Sequence, residues 1–218
     1  IIKAHQGMTL HKRDQNRGEL EQLFQQYRHT IAPLVAAGQL KTILFQFPPY
    51  FDAQLKDIEY LRLIRLWMGD LPIAVEFRNQ SWYQPGVRDS LLAYCQDLNF
   101  TLVAADEPHD KVTSVPFLLA TTNLRLVLVR LHGRNQHGWD NAGKSWRKTR
   151  TLYRYSDEEL AALKEQLTEL KPSPAELCVI FNNNSAGDAA PNALRLQSMM
   201  DIHFQGLAPK SPEQLDLF

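Results

Sequence analysis

The side chains best suited to chemistry in this sequence fall on one parity of short apolar runs, close to their C-terminal ends. Gln46 is the penultimate residue of TILFQF, Glu76 the penultimate residue of IAVEF with Arg78 just beyond it, and Asp106 ends TLVAAD. Arg130 and His132 lie toward the end of LVLVRLHG, Asn182 toward the end of LCVIFNN, and Lys3 and His5 in the opening IIKAH. Residues two apart in an extended chain share a face, so Glu76 stands with Arg78, and Arg130 with His132. Such a set offers acid/base work by Glu76, Asp106 and His132. Lys3, Arg78 and Arg130 would bind an anion, and Gln46 and Asn182 would orient a substrate. Unperturbed, His132 titrates near neutral pH and reads as a proton shuttle.

Each residue also has a plainer role. Glu76 and Arg78 would form a buried ion pair, Asp106 would cap the loop that follows it, and His132 would be a hydrogen-bonded structural residue. Glu76 and Asp106 brought close together would divide acid and base roles, or hold a divalent cation such as Mg²⁺ through oxygen ligands. No H-x-x-H or E-x-x-H spacing identifies a metal, so the cofactor stays open.

The elements that must carry these residues alternate. Six strand-like runs, 1–5, 42–47, 73–77, 101–106, 126–133 and 177–183, are separated by segments with helical spacing at 19–37, 52–68, 85–98 and 156–170. A final helix is expected over 190–204. Pro85 suits a first helical turn, and Ser156 with Glu159 forms a capping-box pattern. Only 107–125 lacks a clean helix, and 134–154 reads as a long loop rich in Gly, Asn, Lys, Arg and Trp.

Alternation without tandem strands implies parallel pairing, in a doubly wound sheet or a barrel. No Gly-rich phosphate loop supports the first. In the barrel, Ile43, Phe45 and Phe47, like Ile73, Val75 and Phe77 or Val127, Val129 and Leu131, would face the helices, while the other parity fills the interior and builds a site at the strand C-termini. The expected fold is an α/β TIM-type barrel with its first two strands apparently absent, since six strands are counted where eight are needed. At about 30 residues per unit, the missing pair corresponds to roughly 50 to 60 residues before Ile1. Residues 1–206 form the barrel domain and 207–218 a flexible tail.

With 218 residues, 44% hydrophobic and 22% charged, the chain has the composition of an ordinary globular domain. Its 24 Lys and Arg balance 24 Asp and Glu, so nucleic acid would have to be held by a local patch rather than a global field. Cys95 and Cys178 are far from C-x-x-C spacing and read as reduced core residues, in keeping with a cytoplasmic setting. No apolar run approaches the 18 to 20 or so residues of a membrane span.

Four stretches in order, FQFPP (45–49), EFRNQSW (76–82), RLHGRN (130–135) and FNNNSAGDAAPNAL (181–194), resemble the YecE-like family, catalogued as domain-of-unknown-function family 72. The resemblance spans nearly the whole chain. It implies a TIM-type barrel lacking its first two strands here, and an early segment that would add polar and aromatic residues to the same mouth. It implies no particular activity.

The final residues, Gln214-Leu215-Asp216-Leu217-Phe218, resemble the peptide with which bacterial replication and repair proteins dock onto the DNA sliding clamp. Leu215, Leu217 and Phe218 would fill apolar pockets while Gln214 makes polar contacts. The plainer alternative is a tail folded back onto its own domain. Trp82 and Tyr83, with Trp139 and Trp146 of the long loop, would offer stacking faces near the rim. Arg134, Lys144, Arg147, Lys148, Arg150 and Arg154 would add phosphate contacts. Asn-rich 182–184, with Ser185 and Gly187, would form the last strand's exit.

Joined, these features point to a clamp-tethered enzyme, a hydrolase in its simplest form, acting on DNA or another phosphate-containing nucleic acid. A small-molecule enzyme acting on a phosphorylated sugar is the alternative from the metabolic class, and a non-catalytic clamp adaptor the third.

Overall fold

Val-, Ile- and Phe-rich strands separated by helices can lie side by side only in parallel, because each connection carries the chain back along the sheet. A computed structural model of the chain, described over residues 1–11, 15–108, 114–140, 149–184 and 186–204, has this arrangement. Strands β1 (Ile2–Lys3), β2 (Ile43–Gln46), β3 (Ile73–Glu76), β4 (Phe100–Asp106), β5 (Val127–Leu131) and β6 (Leu177–Phe181) pair in chain order, every neighbour parallel. The sheet curls into a six-stranded half-barrel.

The helices cover its convex face. They are α1 (Arg17–Ala36), α2 (Leu55–Met68), α3 (Pro85–Asp97), the short α4 (Gln136–Asp140), α5 (Asp157–Glu169) and α6 (Ala189–Met199). Helix α1 begins before the expected Glu19 because Asn16 and Glu19 form a capping box, Asn16 Oδ1 accepting from the Glu19 amide at 3.0 Å. Ser156 and Glu159 cap α5 in the same way. Helix α6 stops short of the expected 204, and no helix appears between β4 and β5 among the described residues. No helix among them is long and apolar enough to cross a membrane.

The two faces of the sheet separate as the period-two pattern requires. Ile43, Phe45, Ile73 and Val75 pack outward with Phe24, Leu61, Ile64 and Met68, while Val127, Val129 and Leu131 pack with Leu160, Leu163 and Leu167. On the concave side, Leu44, Ala74, Val103 and Leu128 form one buried layer. Its register is set by Leu44 opposite Ala74 and Val103 opposite Leu128.

Beneath the C-terminal ends of β2 and β3 lies an aromatic stack. Phe47 and Phe51 have ring centroids 4.0 Å apart, and Phe77 and Trp82 4.4 Å apart. Trp82 also donates its indole N–H to the Phe51 carbonyl at 3.0 Å. The stack braces the strand ends from which the polar side chains project. Trp82→Ala is expected to lower stability by about 3 to 5 kcal/mol, and Trp82→Phe by a smaller amount that includes the orphaned Phe51 carbonyl. Urea denaturation measures both, and an unchanged midpoint for the alanine variant would contradict this bracing role.

Candidate functional site

Glu76, at the end of β3, is fully buried, and its charge organises the mouth of the half-barrel. Oε1 is ion-paired with the Arg78 guanidinium two residues on, and Oε2 with Arg130 from β5. Burial acts to raise the Glu76 pKa. Arg78, with His132 and Arg130 beside it, outweighs burial and holds the carboxyl well below the usual carboxylate range. Arg130 Nη1 also donates to Gln46 Oε1 at 3.0 Å, and Lys3 Nζ reaches the same oxygen at 3.5 Å. Gln46 thus turns its carbonyl oxygen toward two cations.

His132 continues the cluster. Nε2 lies 2.8 Å from Arg78 Nη2 and 3.3 Å from Glu76 Oε1, and Nδ1 lies 3.0 Å from the Asn182 side-chain amide. Burial, then the neighbouring Arg78 charge, pushes the imidazole pKa down to about 3. The ring is therefore neutral at pH 7. Nε2 thus faces a donor, Arg78, and an acceptor, Glu76, while Nδ1 faces the Asn182 side chain. This environment suits His132 to holding Arg78 in place rather than to shuttling protons near neutral pH.

Six of the residues singled out in the sequence, Lys3, Gln46, Arg78, Arg130, His132 and Asn182, line one cavity of about 680 Å³ at the strand C-termini, with Glu76 beneath. His11, Tyr50, Arg150 and Asn184 line it as well. A smaller cavity of about 400 Å³, lined by the Lys41–Glu176 pair, Asn99 and Arg125, touches none of these residues.

Asp106 is not part of this cluster. Ala105 pairs with Arg130 and Asp106 with Leu131, so Asp106 takes the outward parity. It receives the Arg134 guanidinium through Nε and Nη2 at 2.9 to 3.0 Å and the Tyr155 hydroxyl at 2.6 Å. The carboxylate that does face inward is its neighbour Glu107. Buried, it pairs with Arg78 Nη1 and lies 3.5 Å from Arg150 Nη2. Glu76 and Asp106 therefore do not share a substrate or an ion, and among the described residues no three His, Cys, Asp or Glu side chains gather as a metal site.

The Asp106 network is a clamp on the segment leaving β5. Tyr155 OH accepts from the Gly133 amide at 2.9 Å, and Arg134 Nη1 donates to Glu159 at 3.0 Å, which also takes the Tyr153 hydroxyl at 2.6 Å. Gly133 has φ +91°, and a Cβ there would lie 2.6 Å from that of Tyr153, so glycine is required twice over. Arg150 lines the cavity, its guanidinium 3.3 Å above the Trp139 ring. Burial, then Arg78, pushes the Arg150 pKa down to about 9, which leaves it charged at pH 7.

Other expected rim residues lie elsewhere. Trp82 is buried in the aromatic stack with Phe51 and Phe77 rather than presented to a ligand. Trp139 lies under Arg150, Arg134 is spent on Asp106 and Glu159, and Arg154 pairs with Asp188. Asn183 points away from the cavity, as strand alternation requires, and bonds to the Tyr153 carbonyl and to Asn192. Lys144, Trp146, Arg147, Lys148, Ser185 and the tail residues Gln214, Leu215, Leu217 and Phe218 lie outside the described residues. Glu107, Arg134 and Tyr155 were not anticipated in these roles. For Glu107, the signal available was Asp106-Glu107 itself, since two adjacent acids at a strand end must face opposite sides.

Four cationic side chains, Lys3, Arg78, Arg130 and Arg150, thus line the cavity, and the buried carboxylates of Glu76 and Glu107 pair with its three guanidiniums. Guanidinium forks of this kind suit the oxygens of phosphate or carboxylate.

Comparison with known proteins agrees with this architecture. UPF0759 protein YunF of Bacillus subtilis (strain 168) is 41% identical over 225 residues, covering 100% of this chain and 77% of its own length. The crystal structure of a DUF72 family protein from Enterococcus faecalis V583 superposes with a TM-score of 0.90 at 38% identity, covering 98% of this chain and 78% of that one. A DUF72 family protein from Thermotoga maritima MSB8 gives 0.79 at 31% identity, covering 91% and 72%. Residues 1–216 match the family described as "Protein of unknown function DUF72". With the half-barrel and the spaced motifs at its mouth in agreement, this chain belongs to the DUF72 family.

Proposed function

We propose that the cavity binds a phosphate-bearing ligand and that the chain acts on it as a hydrolase of phosphate-containing substrates, at the mouth of a closed TIM-type barrel. The observation that carries this reading is the gathering of Lys3, Arg78 and Arg130 around one cavity, with the two guanidiniums fixed by the buried Glu76 carboxylate. Arg78 and Arg130 are the phosphate clamps, Lys3 and Arg150 complete the charge, and Gln46 and Asn182 orient the ligand. Glu76 keeps the guanidiniums in place from below.

Joined to the tail, the reading becomes a sliding-clamp-tethered enzyme acting on DNA or another phosphate-containing nucleic acid in the cytoplasm. Any Mg²⁺ would arrive with the phosphate rather than through a pre-formed carboxylate pair. The phosphorylated-sugar alternative is favoured by the cavity's volume, which lies within the small-ligand range of about 300 to 1,000 Å³.

Calorimetric titration with inorganic pyrophosphate tests the anion site. Arg150→Gln is expected to weaken binding about ten-fold, the size of one charge-assisted bond. Asp157→Asn, in the remote surface pair with Arg195, serves as the control and leaves binding unchanged. Equal affinity in both variants, or no binding to the wild type, contradicts the assignment.

Stability should fall in acid in two stages. The folded pKa of His132 is depressed to about 3 from its ordinary 6.5, so the unfolded chain takes up a proton that the folded chain refuses. That stability is complete above pH 6.5 and is lost as pH falls toward 3, with a slope approaching one proton, about 1.4 kcal/mol per pH unit. Glu76, also depressed, adds a second loss that begins as pH falls through its ordinary value of 4.5 and continues down to its lower folded pKa. Melting temperatures of wild type and His132→Gln between pH 7 and 4 check the first stage, which the variant should lack.

For the tail, the full chain should retain a bacterial sliding clamp in a pull-down, and a version lacking residues 214–218 should not. Equal retention, or none by the intact chain, removes the tethering.

A further inference from the structure

Among the described residues the cavity is lined by one primary amine, Lys3, at the C-terminal end of β1. Its backbone is fixed on both sides. Lys3 stands opposite Leu44 in the β1–β2 register, the Ala4 amide donates to the Leu44 carbonyl at 2.9 Å, and Tyr27 OH donates to the Lys3 carbonyl at 3.0 Å. The side chain turns to the mouth, where Nζ comes within 3.5 Å of Gln46 Oε1.

Lys3 differs from the cations around it. Arg78 and Arg130 are each ion-paired with Glu76, whereas Lys3 joins no ion pair among the described residues, and the Gln46 oxygen it reaches is already taken by Arg130 at 3.0 Å. Partial burial, then the Arg130 charge, lowers the Lys3 pKa from 10.5; Arg78 adds to that shift and Glu76 opposes it. An amine beside other cations gives up its proton more readily, which weakens it as an anion holder and strengthens it as a nucleophile. His11 lines the same cavity. It is tied to Thr9 Oγ1 at 2.8 Å through Nδ1 and makes no hydrogen bond through Nε2 among the described residues. Burial, then the Lys3 charge, lowers its pKa below 6.5, so the ring is neutral at pH 7 and can accept a proton.

We infer that Lys3 forms an imine with the aldehyde of an open-chain sugar phosphate whose phosphate rests on Arg78 and Arg130, with His11 carrying the proton. This rests on the reading that a phosphate-bearing ligand occupies the cavity, and adds a covalent step to it. The Lys3 ammonium first passes a proton to His11 Nε2. The neutral amine attacks the aldehyde carbon, the C–N bond forms as the C=O double bond opens toward oxygen, and a proton moves from nitrogen to that oxygen. His11 then returns its proton, the oxygen leaves as water, and the C–N bond becomes the iminium double bond. One positive charge stands on this nitrogen before and after, and no oxidant or reductant is needed. The cavity of about 680 Å³ has room for a sugar as well as its phosphate. Such an aldehyde occurs in a free sugar phosphate and at an abasic position in a DNA strand, where the ring-opened deoxyribose carries phosphate.

The test incubates the full chain with ribose 5-phosphate, with ribose, and with an oligonucleotide containing one abasic site, each with cyanoborohydride, which reduces an imine to a stable secondary amine. Peptide mapping by mass spectrometry is expected to find the ribose 5-phosphate adduct on Lys3, formed about ten-fold or more faster than on the exposed Lys164, because the bound phosphate holds the aldehyde beside the amine. Ribose should label Lys3 no faster than Lys164. Pyrophosphate should protect Lys3, Lys3→Arg should lose the adduct, and the rate of labelling should reach half its maximum below pH 10.5. His11→Gln should slow the labelling, and an unchanged rate overturns the proton role of His11. Preferential trapping of the abasic strand identifies nucleic acid as the source, and preferential trapping of ribose 5-phosphate identifies the free sugar phosphate. If pyrophosphate binds but Lys3 is labelled no faster than Lys164, the imine is overturned while the phosphate site stands. If pyrophosphate does not bind, the phosphate reading itself has failed, and the imine with it.

Discussion

The mouth depends on keeping a fully desolvated carboxylate ionised. Removing Glu76 from water costs several kcal/mol, and only close, well-aimed partners offset that. Arg78 from the same strand and Arg130 from β5 each take one oxygen, and His132 lies against Arg78. Glu107 then shares Arg78 with Arg150. Opposite charges alternate across three strand ends and one loop, so each guanidinium is fixed by a carboxylate that does not reach the cavity surface. Fixed in this way, the donors need little rearrangement when an anion arrives, which is where preorganised sites gain over flexible ones.

Much of this was legible in the sequence because β-strands alternate strictly. Gln46, Glu76, Arg78, Arg130, His132 and Asn182 share a parity that is apolar earlier in each strand, and once the strands are parallel and in register their ends meet. The parity failed at β4. Ala104 and Ala105 are alike in size and polarity, so neither marks the buried face, and Asp106 and Glu107 compete for the inward position. The register with β5, which a single strand's pattern does not contain, decides for Glu107.

Tertiary pairing hid the rest. Asp106 finds Arg134 28 residues on and Tyr155 49 residues on, and nothing local to any of them announces the others. Trp82 follows a strand as a rim aromatic would, but it is buried in the stack with Phe51 and Phe77. The charge state of His132 was misjudged for a related reason. An isolated imidazole titrates near neutrality, and only the company of Arg78 in a dry interior moves it out of that range.

Gly133 gears the half-barrel to its helical shell. Its backbone amide is grasped by Tyr155, and the absent methyl is the space Tyr153 fills; Tyr153 in turn grips Glu159, the residue that locks the first turn of α5. Adding one carbon atom here would push on a tyrosine and, through its bond to Glu159, loosen a helix cap. A change at the exit of a strand would thus be felt in the outer helical layer.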